Sequence, residues 1–520
     1  MQDPNTRNTK PAPTAAKTRQ AGAGGVRGNV AVSTRHLAAP PRLHLTESNQ
    51  RRRRFNTLLA IGLVAIVLIA PLPVGSNRGA AWMLWAMVLG AGAALYFTAV
   101  ALLPSVRPFR ALMVRRWLWL VAAALVWGLV QYLPIAGFLP RWIAALPETG
   151  APRPASLSLA PGATFVAVLR GFTMLLFFIL MIEVSARLSR ARTIGWTLFF
   201  GVAFYALWAL LSLRFFGDSF FWGTKTSSLG AATGPFVNRN SFATFLGIGA
   251  VLGLALMLER ARLPRMRHPS GHRLTSAENI ATLFLGVVWL IVMVALVATQ
   301  SRMGLVSTVA GLGLVWVTSP NAQASGRRAQ MLRWSGGVAA VAVIVFLLAF
   351  QGEAVISRFF GAEGDLAVRT ALYAQVIDMI GTRPLTGFGL DAFQPAFELY
   401  HRLPVSAALI WDKTHSTYLA LWVELGLVFG TLPMIAAAGL ALRLVQVLRR
   451  RHHDVALVAA ALAALLTTGI HSLVDFSLEM QANQFLLLAV LALGVARRGM
   501  TENLEDGTAS IASETPGAAE

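Results

Sequence analysis

Residues 351–415, opening QGEAVISRFFGAEGDL and closing WDKTH, form the longest polar segment between the hydrophobic runs of this chain. The segment carries Arg358, Arg369, Arg383, Arg402 and Lys413 and ends at His415, where the next apolar run begins. On both sides the sequence is greasy: 56% of the 520 residues are hydrophobic and only 13% are charged, the balance of a polytopic membrane protein rather than of soluble domains. Cations and a histidine kept beside a membrane need an explanation in chemistry or in transport. With no cysteine, the chain has no disulfide, no thiolate metal site and no cysteine nucleophile.

Working outward, apolar runs long enough to span fall at about 57–74, 80–103, 117–137, 163–186, 193–215, 241–258, 280–298, 302–318 and 335–350 before the segment, and at about 414–442, 455–473 and 482–498 after it. In lipid each must be helical, because no solvent is present to satisfy a free backbone amide. The fold class expected is therefore an all-α integral membrane protein of about twelve transmembrane helices, with both termini on one side. The domain reading is a basic tail over 1–54, nine spans over 55–350, a large loop over 351–413, three spans over 414–498 and an acidic tail over 499–520. Residues 1–50 are rich in Pro, Ala, Gly, Thr and Arg without periodicity, which predicts disorder. The tail runs into Arg51, Arg52, Arg53 and Arg54 at the first span, as a retained cytoplasmic anchor does.

The distribution of arginine sets the orientation. With the N-terminus inside, every inner loop is basic: Arg107, Arg110, Arg115 and Arg116; Arg187, Arg190 and Arg192; Arg260, Arg262, Arg265, Arg267 and Arg273; Arg327, Arg328 and Arg333; Arg443, Arg449, Arg450 and Arg451; Arg497 and Arg498. This is the positive-inside bias, and it accounts for most of the net charge of +22 without nucleic acid, for which no binding motif appears.

In that topology the polar residues that interrupt the apolar pattern fall at the outer face. Arg239 sits in GPFVNRN at the mouth of the sixth span, and Gln300, Ser301 and Arg302 link the seventh and eighth. Arg369 lies in VRTALYAQVIDMI, whose Val368, Leu372, Val376 and Met379 recur at helical spacing and predict a helix resting on the membrane surface. The turn GTRPLTGFG follows.

Each of these residues has a plainer reading. Arg239 and Arg302 stand where snorkelling arginines anchor helices, although outer arginines run against the charge bias. Arg383 and Arg402 read as surface charges. His415 is either a capping histidine or a functional one. Glu424, nine residues on, falls about 900° around the helix and so on the opposite face, which predicts a structural hydrogen bond rather than a partnership with His415. His471 and Asp475, four apart on one helix face, form either a dyad or a satisfied pair. Arg170, roughly 12 Å into its span, calls for a partner or an anionic ligand. Glu363 and Asp365 read as a solvated loop, so no metal or other cofactor is expected.

A diphosphate leaving group gains negative charge as its bond to carbon breaks, and guanidinium groups can take that charge through bidentate hydrogen bonds without a metal. A histidine can accept the proton of an attacking hydroxyl. The constellation fits glycosyl transfer from a polyprenyl diphosphate whose head lies at the outer face. A twelve-helix transporter is the alternative of another class.

Five stretches carry a family resemblance: GPFVNRNSFATFL at 234–246, ATQSRMGL at 298–305, VRTALYAQVIDMIGTRPLTGFGLDAF at 368–393, HSTYLALWVELGLVFG at 415–430 and HSLVDFSLE at 471–479. In order and spacing they resemble the O-antigen ligase and polymerase superfamily. The resemblance implies a metal-independent, inverting class C glycosyltransferase fold in the bacterial inner membrane, with a periplasmic loop before the catalytic helix. It implies substrate-binding roles for Arg239, Arg302 and, less directly, Arg369, and a catalytic role for His415; Arg170, His471 and Asp475 stand as secondary candidates on the reading of the residues alone. The donor implied is an undecaprenyl-diphosphate-linked glycan. The acceptor implied is lipid A-core for a ligase, another glycan for a polymerase, or a protein.

Overall fold

The computed structural model of the chain describes residues 47–102, 110–140, 142–143, 146, 154–221, 223–267, 276–319, 362–450 and 454–497. The expected ninth span at 335–350, Arg358 and the two tails up to residue 46 and beyond 497 lie outside the described residues. Regular structure among the described residues is helical, apart from an isolated bridge between Ser219 and Thr224. The helices are α1 (Glu47–Ile69), α2 (Gly79–Leu102), α3 (Arg115–Tyr132), α4 (Pro161–Val184), α5 (Leu188–Phe215), α6 (Arg239–Arg267), α7 (Ser276–Ala298) and α8 (Arg302–Thr318). After the segment outside description come α9 (Ala362–Thr382), α10 (Phe393–Glu398), α11 (Thr417–Arg450), α12 (Ala456–His471) and α13 (Gln481–Val495).

By length and composition, seven stretches among the described residues are able to cross a membrane: α2, Arg110–Tyr132 at α3, α4, α5, α6 to Ala261, α7 from Ala277, and α11. Shorter apolar helices accompany them at Arg54–Ile69, Arg302–Thr318, Ala456–His471 and Gln481–Val495. The protein is an all-α polytopic membrane protein.

At its centre α6, α8 and α12 pack on one another, with α13 against α12. The sequence of α12, ALVAAALAALL, explains the closeness, since small side chains let helix backbones approach where van der Waals packing rather than water drives association. On the periphery α2, α3 and α7 leave Leu84, Met87, Leu95, Trp119, Ile280, Leu283 and Phe284 exposed, the surface expected to face lipid.

Polar contacts collect at the two ends of the bundle. At one end Arg192, in the first turn of α5, bonds Glu259 of α6 at 2.7 Å and Asp454 ahead of α12 at 2.6 Å. The starts of α4, α6, α8 and α11 and the end of α12 lie at the other.

Span ten departs from expectation. Instead of one uninterrupted helix, α11 is broken at Gly426 (φ 77°, ψ 166°), a conformation open essentially to glycine alone. Residues 384–389 fill the break. Leu427 N donates to Pro384 O (2.7 Å), Phe388 N to Val423 O (2.9 Å) and Gly389 N to Glu424 O (3.0 Å). Gln131 of α3 closes the joint by donating to both Thr386 O (2.6 Å) and Glu424 O (2.7 Å). Backbone groups freed inside an apolar bundle must find partners, and here protein supplies them.

Two further expectations are corrected. Arg383 is no surface charge: it is 2% exposed, donates to Leu157 O at 2.9 Å and lies 4.9 Å from the Phe388 ring centroid. Burial pulls its pKa down to about 10. The apolar stripe of α9 does not rest on the membrane surface either. Leu372, Val376 and Met379 are wholly buried with Phe388, Phe393, Phe397, Val405 and Val423 in a second core, because the loop folds back over that face. Arg402 is exposed and paired with Asp378, as a surface charge is.

Candidate functional site

His415 sits in the last link before α11 with φ 57°, in the left-handed region that costs a side-chain-bearing residue roughly 1–2 kcal/mol. Its surroundings enforce the conformation. Tyr373 Oη of α9 donates to His415 O (2.9 Å), Thr414 Oγ1 donates to Ser416 O (2.7 Å), and Thr417 N donates to Ser472 O (3.0 Å). The imidazole stands edge-on to Phe476, 5.2 Å between centroids, and to Trp411 at 6.0 Å. Its Nδ1 is buried with no hydrogen-bond partner. Burial, joined by the positive charge of Arg369, lowers the His415 pKa below the ordinary histidine value, against the opposing pull of Asp475 and Asp412. The shift favours the neutral ring.

The turn after α12, residues 472–477, joins the other elements to this histidine. Arg369 Nη1 donates to Val474 O (2.8 Å). Asp475 accepts from Asn240 Nδ2 of α6 (2.9 Å) and from Ser477 Oγ, and its carbonyl accepts from Thr417 Oγ1 (3.2 Å). Through Asn240 the turn reaches the start of α6, whose first residue is the half-buried Arg239. Arg302 is the first residue of α8, after Ser301, whose Oγ accepts from Gly304 N as the helix cap. A Cβ on Gly304 would stand 2.6 Å from the Ala243 Cβ, so the starts of α6 and α8 lie side by side. Two helix N-termini, each bearing an arginine, concentrate positive potential at this end of the bundle, as an anionic group requires.

His471 and Asp475 do not share a helix face, since α12 ends at His471 and the chain turns. His471 Nδ1 instead pairs with Thr244 Oγ1 of α6 (2.6 Å) within the core. Arg170 lies over the Trp82 ring, 4.1 Å from its centroid, and within electrostatic reach of Glu479.

Beside these residues stands a cluster that spacing does not reveal. Lys413 Nζ is 2.7 Å from Glu479 Oε2 and 3.4 Å from Asp391 Oδ1. Burial works against the lysine charge, yet the two carboxylates more than offset it and raise the Lys413 pKa. Glu424 meets the inserted segment through its carbonyl, which accepts from Gly389 N and from Gln131 Nε2. Asp391, Glu479 and Tyr373 come from three different segments, and no local pattern marks any of them.

Residues 285–434, from within α7 into α11, match the family model described as O-Antigen ligase. Over that stretch the chain is similar to the O-antigen ligase family. The matched stretch contains Arg302, Arg369, Lys413, His415 and Glu424, while Arg170, Arg239, His471 and Asp475 lie outside it. No curated protein matches the chain. An O-antigen ligase domain in a multi-pass helical bundle supports a membrane glycosyltransferase of ligase or polymerase type, acting on a lipid-linked glycan.

Proposed function

We propose that this protein transfers a glycan from undecaprenyl diphosphate to an acceptor at the periplasmic face of the bacterial inner membrane, as an O-antigen ligase with lipid A-core as acceptor. In this reading neutral His415 takes the proton of the acceptor hydroxyl, whose oxygen attacks the anomeric carbon from the side opposite the leaving group. The bond to the diphosphate breaks, the configuration inverts, and Arg239, Arg302 and Arg369 take up the charge growing on the diphosphate. The arginines make a metal unnecessary for that step. A positioned general base contributes about 10²–10⁴-fold in rate.

The observation that carries the reading is the turn 472–477. It receives the guanidinium of Arg369, the residue next to Arg239, the backbone beside His415 and, through Phe476, the imidazole itself. The test is purified protein with a polyprenyl-diphosphate sugar and a candidate acceptor. Transfer without an ion gradient supports a transferase over a transporter. The product that takes up labelled glycan in cells with and without the protein separates a ligase from a polymerase or a protein glycosyltransferase.

A further inference from the structure

Lys413 lies two residues before His415 and takes no part in the proton or charge transfer just described. Its side chain is 17% exposed, and those of Glu479 and Asp391 are 16% and 19% exposed, so the three form a largely enclosed ion cluster. The partners hold different parts of the fold. Glu479 closes the short turn before α13, and Asp391, itself left-handed at φ 59°, follows Leu390, whose carbonyl accepts from Thr164 Oγ1 of α4 (2.8 Å). Lys413 therefore ties the link before α11 to two elements that do not move with it.

On that side Thr414 Oγ1 donates to Ser416 O (2.7 Å) and Trp411 Nε1 to Ser406 O (2.9 Å), both within the link itself, so Lys413 is what joins it to Glu479 and Asp391. Beyond His415 the chain is held by Thr417 N on Ser472 O, and at His415 by Tyr373 on its carbonyl. A left-handed histidine is strained and keeps that conformation only while its surroundings over-determine it, so each fixing beside it bears on where the ring stands. We propose that Lys413, paired with Glu479 and Asp391, is the positioning residue that keeps His415 in its working conformation. This rests on His415 being the base of the transfer reaction.

The test uses the full chain in lipid nanodiscs, a polyprenyl-diphosphate sugar and single-turnover transfer across pH, with Lys413→Met, Lys413→Arg, Glu479→Gln, His415→Ala and the double variant His415→Ala/Lys413→Met. Lys413→Met is expected to slow transfer about tenfold or more at saturating donor with the donor KM little changed. Its acid limb should move to higher pH, because a displaced imidazole leaves the burial and the Arg369 field that lower its pKa. Lys413→Arg should recover most of the rate, and Glu479→Gln should show the same shift in smaller measure. The double variant should be no slower than His415→Ala alone, since a positioning residue has nothing left to position.

Should Lys413→Met fail to fold, as size exclusion would reveal, Glu479→Gln and the arginine variant decide the matter. If His415→Ala is impaired while Glu479→Gln and Lys413→Met keep the wild-type rate and pH profile, the positioning role is wrong and the base stands. A raised donor KM at unchanged maximal rate, or a double variant slower than His415→Ala, overturns it as well by giving Lys413 a role of its own. Full activity in His415→Ala removes the base and the proposal with it.

Discussion

Replacing Gly426 by alanine tests the joint on which the site is built. At φ 77° and ψ 166° a side chain is strained by about 1–3 kcal/mol before any neighbour is considered. The added Cβ would also stand 2.4 Å from Leu385 O and 2.6 Å from Leu385 C, closer than real Cβ atoms come. Those are backbone atoms, which cannot swing aside as a flexible side chain can. Residues 384–389 must therefore retreat, giving up some of the three hydrogen bonds from Leu427, Phe388 and Gly389. At about 1 kcal/mol each, loss of two or three brings the total to roughly 3–6 kcal/mol. We expect Gly426→Ala to lower the melting temperature in detergent by several degrees, to open residues 384–400 to proteolysis and to depress transfer, since Glu424 and Asp391 adjoin the joint. Gly313→Ala is the control: α8 has open space there, and alanine in a helix interior is neutral or stabilising. A Gly426→Ala protein that melts with the wild type and resists protease equally would refute the reasoning.

Arg302→Lys keeps the charge but loses the planar fork, so donor turnover should fall by an order of magnitude or more, and Arg302→Ala should fall further; properly inserted variants with full activity would remove Arg302 from the site. His415→Ala should slow transfer by about 10²-fold or more while donor binding stays near wild type. In the wild type the rate should hold through neutral pH and drop only on the acid side, below the ordinary histidine pKa, because burial and Arg369 favour the neutral ring; a rate that instead rises as pH falls would make His415 a cationic diphosphate binder. Transfer should survive a chelator of divalent ions, and activity lost to EDTA and restored by magnesium would return Glu363 and Asp365 to consideration.

The helices were legible because lipid leaves one option for the backbone and arginines gather in alternate loops between the apolar runs. Every expected span other than that at 335–350, which lies outside the described residues, overlaps a helix. Arg239 and Arg302 could be placed at helix starts from sequence because each directly precedes an apolar run. Other features were hidden because they depend on segments far apart in the chain. The stripe of α9 reads the same whether lipid or Phe388 and Phe393 cover it. Arg383 looks like any loop cation until Leu157 and Phe388 are found around it. His471 has an acid four residues on, and only the end of α12 reveals that Thr244 is its partner. The break at Gly426 falls within an apolar run with no proline at the site, so nothing local announces it.

A broken helix inside a bundle is also what transporters use, where unwound backbone ends are turned toward a substrate or ion near the membrane midplane. The break in α11 is of another kind. Its backbone groups are met by Pro384, Phe388 and Gly389 and by the Gln131 amide, so the opening is closed by protein. What the break does is fix the long loop to the bundle at the Glu424 carbonyl, which accepts from Gly389 N, and from that anchorage Asp391 reaches Lys413. Arg369 and Tyr373, on the helix that leads into the inserted segment, reach Val474 and the His415 carbonyl from the same body. A loop free to slide would spread these contacts over several ångströms, whereas proton transfer needs its partners within hydrogen-bond reach. On the proposed reading the interrupted helix serves chemistry by holding a loop still, the opposite of what alternating access asks of a broken helix.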